Sequence, residues 1–328
     1  MRSESRHPAA ARRLAILTVT LLAAFGCGGA ESPESATEAV RTFAFVVNTP
    51  STFWSIAEAG LRKAAAEFGV EVEMRIPQTG AVDEQQQILQ DLLARQVDGI
   101  AISPIDPNNM TRLLNDVASR TLLITHDSDA ADSKRLAYIG TDNFEAGRVA
   151  GLEIRRALPQ GGDIILFVGR LDAQNAQDRK RGIEDVLAGT DIHILDTRVD
   201  QADQARAQEN AEAMIVAHPG LAGMVGLWSY NGPAIVSAVR AAGLVGQIKV
   251  VCFDEEEATL QAIRDGVIES TIVQKPFEFG YQSIRLLDEL SRGDHSRIPA
   301  NGLIDTGVTV VSSANVVEFS RELAELIQ

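Results

Sequence analysis

The stretch DGIAISPIDPNNMTRLLNDVASRTLLITHD (98–127) contains two short apolar runs separated by an amphipathic segment. The runs GIAIS (99–103) and TLLIT (121–125) have the length and composition of buried strands, and the segment near 108–119 has the apolar spacing of a helix. Alternation of strand and helix is typical of parallel sheets that are covered by helices on both faces. The stretch therefore predicts an α/β fold.

The same alternation continues on both sides of this stretch. Further apolar runs are FAFVV (43–47), VEVEM (70–74), LAYIG (136–140), DIILFVG (163–169), HILDTRV (193–199), GMVGLW (223–228), IKVVCF (248–253) and VIESTIV (267–273). About ten strands exceed one comfortable sheet, and a chain of 328 residues is long enough for two cores. We therefore expect two α/β lobes.

The beginning of the chain has the pattern of an export signal. Four arginines precede the uncharged run LAILTVTLLAAF (14–25), which is shorter than the roughly 20 residues that span a bilayer. We interpret residues 1–26 as a signal peptide. The following AAFGCGG (23–29) resembles a bacterial lipobox, which predicts lipidation of Cys27 and a flexible leash over 27–41. The alternative is an ordinary signal peptide with an incidental cysteine.

The composition excludes several classes of protein. The formal net charge is −15, and an acidic surface repels phosphate backbones, so nucleic-acid binding is not expected. The second cysteine, Cys252, lies in an apolar run and is expected to be a buried, inert thiol rather than half of a disulfide. Five histidines have no zinc-ligand spacing, so we expect no metal and no cofactor.

Two apolar strands in different halves of the chain end in a carboxylate. LLITHD (122–127) ends in Asp127 and KVVCFD (249–254) ends in Asp254. In open α/β sheets, ligands bind beyond the carboxyl ends of the strands, so both side chains are candidate ligand contacts. The alternative for each is a capping role at the following helix or turn.

The body of the chain resembles the periplasmic sugar-binding proteins of ABC importers, of the ribose- and galactose-binding type. The resemblance runs from 43 to about 311, and its motifs are FW (53–54), DGIAISPID (98–106), YIGTDNFEAGRVAG (138–151), RKRGIED (179–185), AHPG (217–220), VCFDE (251–255) and IVQKP (272–276). It implies the type I periplasmic-binding-protein fold, in which a three-segment hinge joins two doubly wound parallel-sheet lobes. On this pattern the first lobe comprises 42–141 and 276–302, and the second comprises 142–275 and 303–328.

The resemblance also implies a set of sugar contacts. In the first lobe they are the polar residues Asn48 and Thr52, the aromatic pair Phe53 and Trp54, and the carboxylate Asp127. In the second lobe and its hinge they are Arg179, Asp254, Gln274, and Tyr230 or its neighbour Asn231. An alternative for Phe53 and Trp54 is a role in the core.

Three positions depart from the family pattern. Ser128 replaces a frequent arginine, Ala202 replaces an aromatic of the second lobe, and Trp228 adds an aromatic near the mouth of that lobe. These changes leave the scaffold intact but keep the identity of the sugar open.

The expected function is therefore that of an extracytoplasmic lipoprotein, anchored to the membrane outside the cytoplasm, which captures a monosaccharide or related polyol. It would act as a monomer and deliver the sugar to the permease of an ABC importer, or, alternatively, signal to a chemoreceptor or histidine kinase.

Asp127 and Asp254 could instead be the carboxylates of a glycosidase. A His126–Asp127 catalytic pair is disfavoured because adjacent strand residues point to opposite faces. A repressor with this fold would begin with a helix-turn-helix rather than with a signal.

Overall fold

The computed structural model describes residues 39–51, 53–171 and 173–326. The expected signal peptide (1–26), the lipidation site Cys27, most of the leash and the candidate contact Thr52 lie outside the described residues. Among the described residues, none of the helices is long and apolar enough to cross a membrane.

Strands and helices alternate as the sequence predicts. The strands are β1 Thr42–Val46, β2 Glu71–Arg75, β3 Gly99–Ile102, β4 Leu122–His126, β5 Tyr138–Gly140, β6 Gly162–Val168, β7 Ile192–Val199, β8 Gly223–Gly226, β9 Lys249–Phe253, β10 Ser270–Val273, β11 Leu303–Asp305 and β12 Thr309–Ser312. The helices are α1 Phe53–Phe68, α2 Val82–Ala94, α3 Pro107–Ala118, α4 Asn143–Ala157, α5 Gln174–Leu187, α6 Gln204–Ala217, α7 Asn231–Ala241, α8 Glu257–Arg264, α9 Pro276–Ser291 and α10 Val316–Leu326.

The strands form two six-stranded sheets. The first has the order β2-β1-β3-β4-β5-β11, and its neighbouring strands are all parallel. The second has the order β7-β6-β8-β9-β10-β12 and is parallel except for β12, which runs antiparallel to β10. In both sheets the first strand lies next to one edge strand, and the chain extends from it first to that edge and then in the opposite direction, which is the doubly wound arrangement. The expected α/β class with two lobes is confirmed.

Each sheet is covered on both faces. In the first lobe, α1 and α9 pack on one face around Phe43 and Phe45, and α2 and α3 pack on the other around Ile100 and Ile102. In the second lobe, α4 and α5 cover one face, while α6, α7, α8 and α10 cover the other. Removing one such phenylalanine side chain from water contributes roughly 1.5–3 kcal/mol, so these layers fix the strands that position the site.

The sequence sets where helix α4 begins, at the first crossing between the lobes. Oδ1 of Asp142 accepts hydrogen bonds from the backbone N–H groups of Phe144 and Glu145, each at 3.1 Å. Such a cap satisfies N–H groups that have no partner within the helix. The polar triplet Thr-Asp-Asn therefore ends β5 and starts the helix that carries the chain to the second lobe.

The chain crosses between the lobes after β5, after β10 and after β11. The expected second-lobe segment 303–328 begins too early, because Leu303–Asp305 forms β11 and pairs with Tyr138–Gly140 in the first sheet. The third crossing is therefore 306–308. Asp305 also links two crossings, since its Oδ1 accepts from the N–H of Asp142 at 3.0 Å and from that of Gly307 at 2.9 Å. A three-residue edge strand has too short an apolar pattern to be recognised from sequence.

Candidate functional site

Asp127 and Asp254 occupy equivalent positions in the two lobes. Each follows a strand directly and adopts the left-handed backbone conformation, with φ of 56° and 69°. The backbone N–H of Asp127 donates to the carbonyl of Ile139, and that of Asp254 donates to the carbonyl of Ile272, so each reaches the next strand of its sheet. Left-handed residues other than glycine are uncommon and occur often at functional sites. The same left-handed backbone conformation therefore turns each of the two carboxylates out of its strand.

The first-lobe carboxylate is held by polar side chains from two other strands. Oδ2 of Asp127 accepts from Oγ of Ser103 at 2.7 Å and from Nδ2 of Asn48 at 3.1 Å, and the same Nδ2 also contacts Oγ of Ser103 at 3.0 Å. These residues follow β1, β3 and β4, which are adjacent in the sheet. These bonds fix the orientation of the Asp127 carboxylate.

A buried amide supports this arrangement from behind. Nε2 of Gln85 donates to the carbonyl oxygens of Val47 and Ser103, at 3.0 and 2.8 Å, and its Oε1 accepts from the N–H of Ile105 at 3.0 Å. Gln85 is fully buried in α2. It joins the carboxyl ends of β1 and β3, the two strands that supply Asn48 and Ser103.

Asp127 is unusually basic for a carboxylate. Burial raises its pKa to about 6, and the negative charge of Asp254 acts in the same direction. The hydrogen bond from Ser103, the charge of Arg179 and the bond from Asn48 oppose this rise. The carboxylate is only 8% exposed, so its interactions are little screened by water.

Arg179 is the buried cation of the second lobe, 2% exposed. Its Nε donates to Oδ1 of Asn143 at 2.8 Å and its Nη1 donates to the carbonyl oxygen of Leu227 at 2.6 Å. The guanidinium lies over the ring of Phe253 at 4.3 Å, a favourable cation–π geometry. Burial lowers its pKa, while the charges of Asp254 and Asp127 raise it. Its charge therefore acts on the carboxylates of both lobes.

Asp254 receives a second polar neighbour from the hinge. Nε2 of Gln274 donates to its Oδ1 at 2.9 Å. Burial raises the pKa of Asp254, and the charge of Arg179 and the bonds from Gln274 oppose the rise. The next residue, Glu255, is also buried, and burial together with the charge of Asp254 raises its pKa well above the ordinary value. The second lobe thus presents the Asp254 carboxyl group near the Arg179 guanidinium, and the buried Glu255 follows it in sequence.

Trp54 and Phe53, the expected aromatic pair of the first lobe, differ in their burial and in their contacts. Trp54 is 3% exposed, and its ring packs edge-on against Phe45 and His126 in the core. Its contacts favour the alternative of a core role over a sugar-stacking role. Phe53 is half-buried and packs on Trp54 and Phe279 at the edge of the same cluster.

His126 does not pair with its neighbour Asp127. Its ring stacks on Phe45 with centroids 3.8 Å apart, and its Nε2 lies 3.1 Å from the carbonyl oxygen of Val46, to which it must donate. Burial lowers its pKa to about 3, so the imidazole is neutral. Its contacts belong to the core, and it takes no part in the arrangement around Asp127.

Tyr230 is engaged within the second lobe. Its hydroxyl donates to Oδ1 of Asp200 at 2.5 Å, and Nδ2 of Asn231 donates to Oδ2 of the same carboxylate at 2.9 Å. Tyr230 therefore helps to fix the loop after β7, in which Ala202 adopts a left-handed conformation.

Of the side chains that the sequence selects as sugar contacts, the structure brings together Asn48, Asp127, Arg179, Asp254 and Gln274. The sequence analysis missed three residues that support them. These are Ser103, Asn143 and Asp200, which hold Asp127, Arg179 and Tyr230. Ser103 and Asp200 directly follow strands, and Asn143 follows the Asp142 cap, so a search for polar residues at strand and helix ends would have found them. Among the described residues, no group of His, Cys, Asp or Glu side chains could hold a metal ion.

The geometry defines a class: a two-lobed protein whose polar side chains converge at the carboxyl ends of both sheets. A family model described as periplasmic binding protein domain matches residues 43–295, and the chain belongs to this family. Its architecture is the type I periplasmic-binding-protein fold.

Similar proteins are known by sequence. The D-ribose/D-allose-binding protein of Pseudomonas aeruginosa is 24% identical over 326 residues, covering 94% of this chain and 99% of that protein. The ribose import binding protein RbsB of Salmonella typhimurium is 24% identical over 259 residues, covering 77% of this chain and 86% of that protein.

Solved structures have the same fold. An ABC transporter solute-binding protein from Burkholderia graminis, in complex with D-arabinose, is 31% identical with a TM-score of 0.80, covering 84% of this chain and 96% of that one. GanP, a glucose-galactose binding protein from Geobacillus stearothermophilus, is 26% identical with a TM-score of 0.79, covering 84% and 98%. The XylFII–LytSN complex contains a chain that is 25% identical with a TM-score of 0.77, covering 84% and 98%.

Proposed function

We propose that this protein captures a monosaccharide or related polyol between its two lobes and delivers it to an ABC-type importer. The observation that carries the proposal is the set of buried charges Asp127, Arg179 and Asp254, in which one guanidinium acts on a carboxylate from each lobe. Asn48 and Gln274 extend the set with amide donors and acceptors.

The chemistry of these groups suits a neutral ligand with several hydroxyls. Each carboxylate accepts hydrogen bonds from adjacent hydroxyl groups, and the guanidinium donates to hydroxyl or ring oxygens. Charge-assisted bonds contribute roughly 1.5–3 kcal/mol each, so a few of them reach the approximately 8 kcal/mol of a micromolar complex.

The two-lobed arrangement supports capture by closure. Each lobe holds only part of the polar set, so a ligand that contacts both lobes favours the closed state by its differential affinity. The relatives support a sugar as the ligand, since they include proteins for ribose and allose and structures with bound D-arabinose. We infer that the protein binds and releases its ligand unchanged, so glycosidase chemistry at Asp127 and Asp254 is not part of the proposal.

A sensor role is the second candidate function. The XylFII chain was solved together with LytSN, so a protein of similar fold forms a complex with a second protein. In this alternative, a chemoreceptor or kinase reads the closed lobes in place of a permease. Co-purification of the protein with its membrane partner, in the presence and absence of sugar, distinguishes the two functions. A permease as the partner indicates import, and a chemoreceptor or kinase indicates sensing.

The experiment that tests sugar binding is a thermal-shift panel. It contains D-ribose, D-allose, D-arabinose, D-xylose, D-galactose and D-fucose, together with polyols, amino sugars and, as negative controls, amino acids. At least one carbohydrate is expected to raise Tm with a saturable dose dependence, because a ligand that binds only the folded state stabilises it. The absence of any carbohydrate response would contradict the proposal. Recovery of the bound sugar unchanged after incubation tests the absence of catalysis.

Anchoring at Cys27 and an extracytoplasmic location remain part of the proposal and rest on the sequence pattern alone. We expect Cys27→Ser to move the protein from the membrane fraction to the soluble fraction, because it removes the atom that carries the lipid. Cys252→Ser is the matched control and should leave the distribution unchanged, since Cys252 is buried in the second lobe. The body is proposed to act as a monomer.

A further inference from the structure

Tyr138 of β5 is buried and joins the residue of the first-lobe carboxylate to the first crossing between the lobes. It is 3% exposed, and its hydroxyl oxygen lies 2.9 Å from the carbonyl oxygen of Asp127 and 3.1 Å from that of Thr141. The side chain folds back over Gly140, where a β-carbon would lie 2.2 Å from the hydroxyl oxygen. A phenol has one hydrogen to donate, so the two carbonyl groups share it. Burial and the charge of Asp127 raise the pKa of Tyr138 well above its ordinary value, so the hydroxyl keeps this hydrogen.

The contacts continue from Thr141 into the second lobe. Nδ2 of Asn143, the first residue of α4, donates to the same Thr141 carbonyl oxygen at 3.2 Å. Oδ1 of Asn143 accepts from Nε of Arg179 at 2.8 Å. All four hydrogen bonds are buried, so a bond that is lost is not simply replaced by one to water. Together they form a hinge path, which runs from Asp127 through Tyr138, Thr141 and Asn143 to Arg179.

The second lobe fixes the residue of its own carboxylate with a shorter side chain. Oγ1 of Thr271 in β10 donates to the carbonyl oxygen of Asp254 at 2.7 Å. In both lobes, a hydroxyl group from the neighbouring strand therefore holds the backbone of a left-handed aspartate. The longer side chain of Tyr138 additionally reaches Thr141 in the crossing. Its contacts thus extend beyond what is needed to hold Asp127.

We propose that Tyr138 is a positioning residue that couples Asp127 of the first lobe to Arg179 of the second lobe through the hinge path. The inference rests on the proposed function. The Thr141 carbonyl group lies in a crossing, where backbone angles change when two lobes close. Because this group accepts hydrogen bonds from Tyr138 and Asn143, a change in its orientation affects both bonds together. A sugar that orders Asp127 therefore favours the hinge state in which Arg179 is also in place, and the two lobes bind it cooperatively.

Tyr138→Phe tests the inference, because it removes the hydroxyl group and keeps the ring. The probes are the sugars of the thermal-shift panel, and the Kd is measured for the sugar that raises Tm most. We expect Tyr138→Phe to weaken this Kd about tenfold. Tyr281→Phe is the matched control, since the Tyr281 hydroxyl group bonds to the exposed Glu67 of α1 and takes no part in the hinge path. The Kd of Tyr281→Phe should equal that of the wild type.

A second variant distinguishes coupling from a local role in the first lobe. Asn143→Asp keeps the acceptor for Arg179 but removes the donor to Thr141, so it interrupts the hinge path. In the Asn143→Asp background, Tyr138→Phe should change the Kd by less than about threefold, because the path is already broken. A loss of about tenfold in both backgrounds would show that Tyr138 acts on Asp127 alone, and the inference would be wrong. If Asn143→Asp does not fold, Asn143→Ala removes the same donor and replaces it.

The outcomes separate the inference from the function on which it rests. If a panel sugar binds the wild type and Tyr138→Phe with equal Kd, the inference is wrong and the proposed function stands. If no panel sugar binds the wild type, both fail. If Tyr138→Phe does not fold, fluorine NMR of the wild type and Asn143→Asp, both labelled with fluorotyrosine, decides. The Tyr138 resonance should shift on addition of the sugar in the wild type and shift less in Asn143→Asp, and equal shifts would overturn the inference.

Discussion

The backbone of Arg179 packs directly against Gly147, so that a β-carbon at Gly147 would lie 2.2 Å from the Arg179 carbonyl oxygen. The contact is reciprocal, because a β-carbon on Gly182 in α5 would lie 2.1 Å from the carbonyl oxygen of Phe144 in α4. Helices α4 and α5 thus cross with their backbones touching. This close approach sets the height at which the Arg179 guanidinium lies above the second sheet.

We expect Gly147→Ala to displace Arg179 and weaken sugar binding by about tenfold or more, because a methyl group cannot fit between the two backbones. The free energy of unfolding should also fall by roughly 1–3 kcal/mol. Isothermal titration and urea denaturation measure the two effects. Gly220→Ala is the control, since its β-carbon would meet no atom within 4 Å. Equal losses in both variants would show that the helix contact is unimportant.

The buried amide behind the first-lobe carboxylate provides a second prediction. Gln85→Met keeps the volume but leaves the carbonyls of Val47 and Ser103 and the N–H of Ile105 without their partner. We expect a loss of roughly 2–4 kcal/mol in the free energy of unfolding, measured by chemical denaturation. Gln87→Met, on the exposed side of the same helix, should be nearly neutral. A tolerated Gln85→Met would contradict the supporting role of this amide.

The sequence predicted the architecture well because the apolar runs repeat with a clear period. Asp127 and Asp254 were also predictable, since each ends a buried strand. Trp54 was harder, because an aromatic at the start of a helix has the same pattern whether it faces the core or a cleft. Gln85 could not be selected from sequence alone, since its importance comes from backbone groups that only the folded sheet brings near it. The edge strand β11 was missed because three residues carry too little periodicity.

Arg179→Lys should reduce sugar affinity by about a hundredfold or more, because an ammonium group cannot reproduce the planar fork that bonds Asn143 and Leu227 and stacks on Phe253. The Kd for the best panel sugar is the measurement. Arg181→Lys, two residues away on the exposed face of α5, keeps the same change of chemistry and should leave the Kd unaltered. A lysine variant that binds normally would remove Arg179 from the ligand contacts.

The pKa of Asp127, raised by burial to about 6, predicts opposite pH dependences of folding and binding. The folded state holds this proton more tightly than the unfolded chain, whose carboxyl titrates near pH 3.9. The contribution of Asp127 to stability is therefore fully present below about pH 4 and is lost as pH rises to about 6. Sugar binding needs the carboxylate as an acceptor, so its affinity should fall by up to about tenfold per pH unit below about pH 6.

Urea denaturation and titration at several pH values, with wild type and Asp127→Asn compared, test both trends. The asparagine variant should lose the part of each pH dependence that lies between about pH 4 and pH 6. Ser103→Ala should shift the midpoint of the binding profile upward, because the hydroxyl that stabilises the carboxylate is removed. Identical profiles for wild type and Asp127→Asn would exclude Asp127 as the titrating group.

The three crossings between the lobes also determine the order in which the chain can fold during synthesis. Helix α9 supplies Phe279, Ile284 and Leu287 to the core of the first lobe, and β11 completes its sheet, yet both elements follow five of the six strands of the second lobe in sequence. A growing chain that has emerged only as far as β5 therefore lacks one wall of its first core. Contacts that join such distant segments pay a large loop-closure entropy and form late. Neither lobe is consequently complete until the end of the chain is synthesised, since β12 and α10 of the second lobe come after β11. A chain truncated before α9 would expose the apolar face around Phe43 and Phe45.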